Sequence, residues 1–290
     1  MPPMPRRRGA SFRQRNSSMG AAVVSKGGLS VQGAARLTAH RALPQESAVA
    51  LVFDGSTLAV MMASPADLED FATGFALSEG VITDPDQIAT LERAEHPQGI
   101  ELRFWLRADR AAALAERRRA LAGPVGCGLC GIDSLEQAMR PLPRLRGSAL
   151  RLSHAEVAGA TQALRDHQPL HDQTRAVHAA GFLRPGQGII LAREDVGRHN
   201  ALDKLIGGLA RQGIDPASGA IVMTSRISTE LVQKCAMVGC PALIAVSAPT
   251  AHAVHLADEA GITLAAFARN GGFDLFSHPD RITPEDPDVA

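Results

Sequence analysis

Short apolar runs alternate with amphipathic segments in the second half of the chain. A strand that is covered on both faces carries apolar side chains at consecutive positions, so such runs predict buried strands. The predicted strands are residues 189–192, 220–223, 243–246 and 263–268. Segments with helical spacing at 200–210, 229–238 and 251–260 lie between them. This β-α-β-α-β-α-β order predicts a layered α/β domain.

The first half of the chain has a different pattern. Apolar stretches at 49–53 and 57–62 flank Asp54-Gly55, a strong tight-turn signal, and predict a hairpin. Residues 100–106 alternate like a strand, and residues 109–122 have helical spacing. This half is therefore expected to form a smaller α+β region.

Two further helix starts can be recognised by their capping residues. Ser64 is expected to cap a helix that has Pro65 in its first turn and Gly80 at its end. Ser153 and Glu156 have the spacing of a capping box. The His154-Ala155-Glu156 stretch is therefore interpreted as a helix start, and not as the zinc motif of a deaminase.

These patterns divide the chain into three parts. Residues 1–40 are expected to be a disordered, arginine-rich leader, and residues 41–150 an N-terminal α+β region that ends in a loop with two cysteines. Residues 151–290 are expected to form an α/β ligand-binding core. Strands from 41–110 are possible additions to the core sheet.

Composition excludes several classes of protein. The 290 residues contain 30 basic and 30 acidic side chains, and 45% are hydrophobic, which is an ordinary globular balance. Neutrality argues against a bulk nucleic-acid binder, and no apolar run is long enough to cross a membrane. Residues 1–20 carry five arginines and no acid, so the remaining 270 residues have a net charge of −5. Four cysteines are too few for a disulfide framework, which favours the cytoplasm.

Polar side chains and glycines follow each of the four predicted strands. The candidate residues there are Glu194, Asp195, Arg198 and His199; Ser225 and Arg226; Ser247 and Thr250; and Arg269, Asn270, Gly271 and Gly272. Parallel strands place their carboxyl ends at one edge, where the free N–H groups of helix N-termini suit phosphate. An anionic, phosphate-bearing ligand is therefore expected at this edge.

The Gly126-Cys127-Gly128-Leu129-Cys130-Gly131 loop is open to three kinds of chemistry. A zinc site would need two more ligands, for which Cys235 and Cys240 are candidates. Cys235 lies in a predicted apolar helix and Cys240 opens a strand, so both are expected to be core thiols. Thiol–disulfide exchange favours a Cys-x-x-Cys pair at a helix start directly after a strand, a context absent here. Sulfur carriage on an exposed thiolate suits the flexible glycines best.

Several longer motifs carry a family resemblance. They are residues 64–69 with 74–80, the cysteine loop, residues 194–204, residues 225–228 with 230–234, and residues 247–250. With them, the chain resembles the formate dehydrogenase accessory sulfurtransferases, or sulfur carriers, from about residue 40 to 282. The Glu-Asp-Val-Gly-Arg-His-Asn stretch at 194–200 is the most specific of these motifs.

The resemblance implies a function and its partners. The protein would accept persulfide sulfur from a cysteine desulfurase on Cys127, assisted by Cys130. It would pass that sulfur to bis-molybdopterin guanine dinucleotide before the molybdenum cofactor enters the catalytic subunit of formate dehydrogenase. GDP-like ligands would mimic this substrate. A cytidine-deaminase-like core without structural metal, a homodimer and a cytoplasmic location are also implied.

The resemblance further implies which residues contact the cofactor. The family's cofactor-contacting segment corresponds to Phe267, Ala268, Arg269, Asn270, Gly271 and Gly272. His178 also matches a family position, but Arg175-Ala176 replaces two glycines that commonly precede it. Two alternatives stay open at this stage, a non-catalytic cofactor chaperone and a zinc-stabilised binding module.

Overall fold

A computed structural model describes residues 22–108, 110–111, 141–145 and 147–283. Cys127 and Cys130 lie outside the described residues, as do residues 1–21 of the leader and most of the expected helix at 109–122. The strands are β1 Val23–Gln32, β2 Ala35–Pro44, β3 Ser47–Phe53, β4 Ser56–Ala63, β5 Ile88–His96, β6 Gly99–Leu106, β7 Leu152–Ser153, β8 His178–Arg184, β9 Gly188–Asp195, β10 Ala220–Met223, β11 Ala242–Ala245, β12 Thr263–Arg269, β13 Gly272–Ser277 and β14 Ile282–Thr283. The helices are α1 Leu68–Ser78, α2 His154–Arg165, α3 Pro169–Thr174, α4 Arg198–Arg211, α5 Thr229–Met237 and α6 Ala251–Ala260.

A six-stranded sheet with the order β13-β12-β11-β10-β8-β9 forms the centre of the fold. The four strands expected from the sequence, β9 to β12, are all present and run in one direction, because β8 is antiparallel to both β9 and β10. The series predicted from the sequence did not include β8 or the antiparallel edge strand β13, which the structure adds to the sheet. Helix α2 covers one face of the sheet, and helices α4, α5 and α6 cover the other.

Strands from the first half form their own four-stranded sheet, in the order β4-β3-β6-β5. They do not join the six-stranded sheet, which corrects the possibility raised from the sequence. The Asp54-Gly55 hairpin is confirmed as the β3–β4 connection. Helix α1 covers one face of this sheet with Leu68, Phe71 and Phe75, because these positions lie on one side of the helix.

Two glycines join the halves of the molecule. A Cβ atom on Gly74 of α1 would lie 1.7 Å from the Asp203 carbonyl oxygen of α4, and one on Gly207 would lie 1.9 Å from the Asp70 carbonyl oxygen. The two helices therefore cross with their backbones in direct contact. Asp70 reinforces the crossing through Arg193 at 2.7 Å and Arg211 at 2.6 Å.

Ser64 has a different role from the helix cap that the sequence suggested. Helix α1 begins at Leu68, and its N-cap residue, Asp67, makes no side-chain cap hydrogen bond. Ser64 is buried, and its backbone N–H donates to Asp195 Oδ2 at 2.9 Å. The predicted cap is wrong because the Ser64 hydroxyl accepts the distant Val196 N–H at 3.1 Å instead of an N–H group of helix α1. By contrast, the Ser153–Glu156 capping box is confirmed at the start of α2.

The expected leader is ordered in its described part. Strands β1 and β2 pair over their full length around Gly33, so the predicted disorder over residues 1–40 is wrong for residues 23–40. The sequence did not predict this hairpin, because apolar and polar residues alternate only weakly there and the segment contains several glycines. No helix in the described ranges is long and apolar enough to cross a membrane.

Candidate functional site

A cleft of about 1060 Å³ lies at the carboxyl ends of the sheet strands, beside helix α2. Its strand side includes the sequence-predicted residues His178, Arg269, Asn270 and Gly271. Its opposite wall comes from helix α2 and the segment around α3. The strand-end edge is therefore a concave surface with a volume suited to a small organic ligand.

The connection from β12 to β13 has unusual backbone geometry at one side of this cleft. Phe267 has a φ of 52° and Asn270 a φ of 54°, both in the left-handed region. The strand pairing shifts between Ala266 and Arg269, which marks a bulge. A bulky residue at positive φ stores strain, and such strain concentrates at functional sites. The Arg269 and Asn270 side chains are exposed as a result of this bulge.

Ala268 and Gly272 belong to the same connection but do not line the cleft. Ala268 is fully buried, and its carbonyl oxygen accepts a hydrogen bond from the Thr161 hydroxyl of α2. Gly272 pairs with Arg269 in the strand ladder. The Ala268 side chain is therefore shielded from a ligand in the cleft, and contact of this connection with the cofactor stays a prediction.

His178, Arg198 and His199 lie close together at the strand ends. Burial lowers the pKa of His178, and the nearby Arg198 and His199 lower it further. The Nε atom of Arg198 is buried without a hydrogen-bond partner in the described part of the chain. His199 lies 3.4 Å from the Glu230 carboxylate, and this hydrogen bond lowers the pKa of Glu230 to about 2. The positive charge of Arg198 is therefore available to an anion at this position.

Glu194 and Asp195 hold the scaffold behind the site and are not free to contact a ligand. The Glu194 carboxylate accepts the backbone N–H groups of Leu170 and His171, at 2.7 and 2.8 Å, and so holds the start of α3. Burial raises the pKa of Glu194. Asp195 is fully buried and pairs with Lys204 at 2.6 Å. Partners within the chain therefore occupy both carboxylates, and their direct contact with a ligand stays a prediction.

Asn200 completes the support of Asp195. Its Nδ2 atom donates to Asp195 Oδ1 at 2.9 Å and to the Met62 carbonyl at 2.8 Å. The Gly197 N–H also donates to Asp195, at 2.8 Å. These bonds fix the turn that leads from β9 into α4. They thereby position Arg198 and His199.

The remaining strand-end candidates have mixed placements. Arg226 is exposed, and Ser247 is half-buried. Ser225 is 4% exposed and donates to the Arg226 carbonyl, so its hydroxyl is turned away from a ligand. Thr250 caps helix α6 by accepting the Ala253 N–H at 3.2 Å. None of these four residues lines the cleft, although their strands end at the same edge.

The sequence reasoning missed the wall of the cleft that α2 and α3 supply. This wall includes His154, Thr161, Arg165, Gln168, His171 and Arg175. Helix α2 precedes the predicted strands in the chain, so no strand-end pattern could identify it. Arg175 has a φ of 56°, a backbone conformation that glycine adopts without strain. The sequence signal at this position was the presence of Arg175 where the resembling family commonly has glycine.

The two cysteines outside the loop are core residues, as the sequence suggested. Cys235 and Cys240 are fully buried as free thiols. Burial raises the pKa of Cys240 to about 11 and that of Cys235 well above its usual value. Zinc binds thiolates, so these neutral thiols are poor ligands. Among the residues that the structure describes, no cluster of His, Cys, Asp and Glu could hold a metal.

The geometry fits reversible binding of an anion. Three arginines line or approach the cleft region from different elements: Arg165 of α2, Arg175 after α3 and Arg269 of β12. Arg165 is already paired with Asp172, so Arg175 and Arg269 provide the more available charge. A guanidinium group matches the geometry of phosphate oxygens. The described part of the cleft contains no cysteine.

Comparison with known proteins gives a consistent result. The model of the FdhD/NarQ family matches residues 44–283. A sulfur carrier protein FdhD from Agrobacterium fabrum is 51% identical over 245 residues, which cover 84% of this chain and 90% of that protein. A protein of the same name from Cupriavidus necator is 48% identical, with 83% of each chain covered.

A solved structure shares the fold. It is described as a formate dehydrogenase accessory protein from Desulfotalea psychrophila, and the two structures superpose with a TM-score of 0.69. The match covers 90% of this chain and all of the other, at 24% sequence identity. A protein of divergent sequence therefore has the same mixed α/β architecture.

Proposed function

Because the chain belongs to the FdhD/NarQ family of sulfur carriers, we propose that it accepts sulfur from a cysteine desulfurase and delivers it to molybdenum cofactor. The cofactor would be the bis-molybdopterin guanine dinucleotide form, bound as substrate before insertion into the catalytic subunit of formate dehydrogenase. A cytoplasmic homodimer with a cytidine-deaminase-like core belongs to the same proposal. Family membership supports sulfur carriage, and the cleft supports the anionic substrate.

Sulfur acceptance uses the Cys127 thiolate as the nucleophile. It attacks the outer sulfur of the desulfurase persulfide, so that one S–S bond breaks as another forms on Cys127. The desulfurase leaves as its thiolate, and no external oxidant or reductant is required. The glycines on both sides of Cys127 and Cys130 suit a segment that a second protein must approach.

Sulfur release uses the second cysteine. The Cys130 thiolate attacks the inner sulfur of the Cys127 persulfide, and the outer sulfur leaves as sulfide for the cofactor. The two cysteines are oxidised to a disulfide while the carried sulfur is reduced, so the electrons balance. A cellular dithiol reductant restores the pair for the next cycle.

The single observation that supports the substrate assignment is the cleft at the strand ends. It is lined by Arg175, Arg269 and His178. Arg198, whose Nε atom has no hydrogen-bond partner among the described residues, lies close enough to His178 to lower the pKa of that ring. A nucleotide pyrophosphate carries the opposite charge, and its guanine requires a concave pocket of this size. GDP is therefore the simplest probe for this half of the proposal.

Intact-mass measurement tests the sulfur half. The full chain is incubated with a cysteine desulfurase and L-cysteine, and wild-type protein is expected to gain the mass of one sulfur atom. Cys127→Ala should gain none, whereas Cys235→Ala, which removes a buried thiol, should gain as much as wild type. An equal gain in Cys127→Ala would overturn the role of Cys127, and Cys130→Ala shows whether loading needs the second thiol.

A cofactor chaperone that moves no sulfur is the alternative that the cleft also favours, since such a chaperone needs a binding cleft and no cysteine. It predicts that a variant without Cys127 and Cys130 still supports formate dehydrogenase activity. The zinc-stabilised module has less support, because Cys235 and Cys240 are buried thiols with raised pKa values. Metal analysis of the purified full chain tests that alternative.

A further inference from the structure

A second cavity, of about 430 Å³, lies at the amino end of strand β12. Its lining comes from three places in the chain: the segment around Leu145, the end of helix α6, and the connection from β13 to β14. Strand β12 runs from Thr263 to Arg269, a span of roughly 20 Å, so this amino-end cavity lies at the other end of the strand from the candidate cleft. Among the described residues, the two cavities share no lining residue.

Backbone contacts fix the shape of the amino-end cavity. The Leu145 N–H donates to the Ala260 carbonyl at 2.7 Å, which holds one wall against the end of helix α6. Gly261 ends that helix with a φ of 77°, and a Cβ atom on it would lie 2.6 Å from the Leu145 carbonyl oxygen. On another wall, His278 has a φ of 45°, and its Nε2 atom lies 2.8 Å from the Asp258 carbonyl oxygen. The cavity is therefore preformed, which is typical of small-molecule sites.

Arg281 lines the cavity as a buried cation whose described partners are neutral. It is only 4% exposed, and its Nε atom has no hydrogen-bond partner among the described residues. Its Nη1 atom donates to the Thr263 hydroxyl at 3.0 Å, and its Nη2 atom donates to the Leu145 carbonyl at 3.3 Å. Burial lowers the pKa of Arg281, and Asp280 offsets this effect in part. A buried guanidinium keeps its charge, so an anionic group in the cavity would supply the missing counter-charge.

The exposed rim of the cavity has the opposite charge from its base. The charged lining residues that are exposed are Arg144, Asp258, Glu259 and Asp280. A simple anion would be repelled by these three acids, and a metal ion would be repelled by Arg281. In addition, no cluster of His, Cys, Asp and Glu in the described part of the chain could hold a metal. The cavity therefore fits a molecule that carries a negative group at one end and a positive group at the other.

We propose that the amino-end cavity binds a small zwitterion of the amino acid class, with its carboxylate at Arg281 and its ammonium group at the acidic rim. Each terminal nitrogen of Arg281 has two N–H groups and uses one in the bonds described above, so one on each remains for a carboxylate. Because acids outnumber arginine at the rim, a basic amino acid should bind best. This inference goes beyond the proposed function and does not rest on it.

Titration calorimetry on the full chain tests the class of ligand. L-lysine is the first probe, and L-alanine and L-glutamate are measured beside it. Saturable binding of L-lysine is expected. Cadaverine, which lacks the carboxylate, and hexanoate, which lacks both amines, should each bind at least about tenfold more weakly, because each loses a charge-assisted contact. Equal binding of either analogue would overturn the zwitterion assignment, and so would the absence of saturable binding by all three amino acids.

Variants of exposed rim residues locate the binding without disturbing the core. Arg144→Gln and Asp280→Asn should each raise the dissociation constant for L-lysine several-fold. Their matched controls, Arg151→Gln and Asp274→Asn, change exposed residues outside the cavity lining and should leave it unchanged. Arg281→Lys keeps a charge but loses the guanidinium fork, so it should weaken binding further. Circular dichroism verifies that each variant is folded, and the rim variants decide the question if Arg281→Lys is not. Rim variants that bind as tightly as their controls overturn the proposal.

Added GDP separates the two cavities. L-lysine should bind equally well with and without saturating GDP, because the amino-end cavity and the candidate cleft lie at opposite ends of β12. Displacement of L-lysine by GDP would place it in the cleft and would overturn the proposal. Persulfide loading of Cys127 is read by intact mass in the same samples. Protein that binds L-lysine as expected but loads no sulfur overturns sulfur carriage alone, and protein that loads sulfur without binding L-lysine overturns this inference alone.

Discussion

Lys204 Nζ lies 2.6 Å from Asp195 Oδ2, and neither side chain has exposed surface. The same ammonium group donates to the Ser64 carbonyl at 2.9 Å and to the Glu194 carbonyl at 3.3 Å. This ion pair therefore connects the first helix region, strand β9 and helix α4. Its position directly behind Arg198 and His199 makes it the support of the candidate site.

The first prediction concerns the loss of one partner of this pair. Lys204→Met should lower the free energy of unfolding by about 3–5 kcal/mol, because it leaves the Asp195 carboxylate buried and without its counter-charge. Chemical denaturation with a fluorescence readout measures the change. The control is Arg93→Met, which removes an exposed partner of Glu95 and should change stability by less than about 1 kcal/mol. Equal effects in the two variants would contradict this account.

The second prediction concerns the crossing of α1 and α4. Gly74→Ala and Gly207→Ala should each lower the free energy of unfolding by about 1–3 kcal/mol or more, because the added methyl group meets backbone atoms that cannot move aside. Gly159→Ala is the matched control, since nothing lies within 4 Å of its added Cβ atom. Its higher helix propensity should raise stability by roughly 0.5–1 kcal/mol. Neutral substitutions at the crossing would show that the helices can separate.

The third prediction separates conformation from charge at Arg175. Arg175→Gly should raise the free energy of unfolding by about 0.5–1 kcal/mol, because glycine adopts the positive φ without strain. The same change should weaken GDP binding roughly tenfold if the guanidinium donates a charge-assisted hydrogen bond to phosphate. Asparagine also tolerates a positive φ but carries no charge. Arg175→Asn should therefore lose affinity for GDP, and it does not add the backbone flexibility that glycine would. Calorimetry measures both quantities, and unchanged GDP affinity in both variants would exclude Arg175 from binding.

The fourth prediction concerns the pH dependence that His178 contributes. Burial and the neighbouring Arg198 lower its pKa in the folded state, so the neutral ring is the stable form. The neutral His178 ring therefore contributes to the free energy of unfolding above its unfolded-state pKa of about 6.5. This contribution is lost as pH falls through the folded-state pKa. His178→Gln should remove this part of the pH dependence, which denaturation between pH 5 and 8 detects. Binding of GDP should raise the pKa and take up a proton, which calorimetry in buffers of different ionisation enthalpy measures. A wild-type ring that titrates above its ordinary value would contradict the assignment.

Local patterns were sufficient to predict four of the six strands of the central sheet. The runs at 220–223 and 263–268 became β10 and β12 because a strand covered on both faces requires consecutive apolar residues. The Asp54-Gly55 turn and the Ser153–Glu156 capping box were also predictable from the sequence, because the hydrogen bonds that form them join residues close together in the chain. Buried Cys235 and Cys240 followed from their apolar surroundings.

Predictions that depended on distant partners were less successful. Ser64 has the sequence of a helix cap, yet its partners are Asp195, Val196 and Lys204, more than a hundred residues away. Glu194 and Asp195 have the appearance of ligand contacts, but the start of α3 and Lys204 occupy their carboxylates. A one-dimensional pattern shows which residues are polar. It does not show which polar groups satisfy one another.

The sequence by itself determined the strand order in the chain, the polar edge of the sheet, the two core thiols and the family. It could do so because these features depend on periodicity, composition and contiguous motifs. Only the tertiary structure decided which polar residues face the cleft, that α2 and α3 supply its second wall, and that residues 23–44 form a paired hairpin. The reason is that burial and charge pairing are properties of the packed chain. Gly74 and Gly207 bring α1 against α4, and the packed chain holds the strand-end acid Asp195 as buried support for Arg198 and His199.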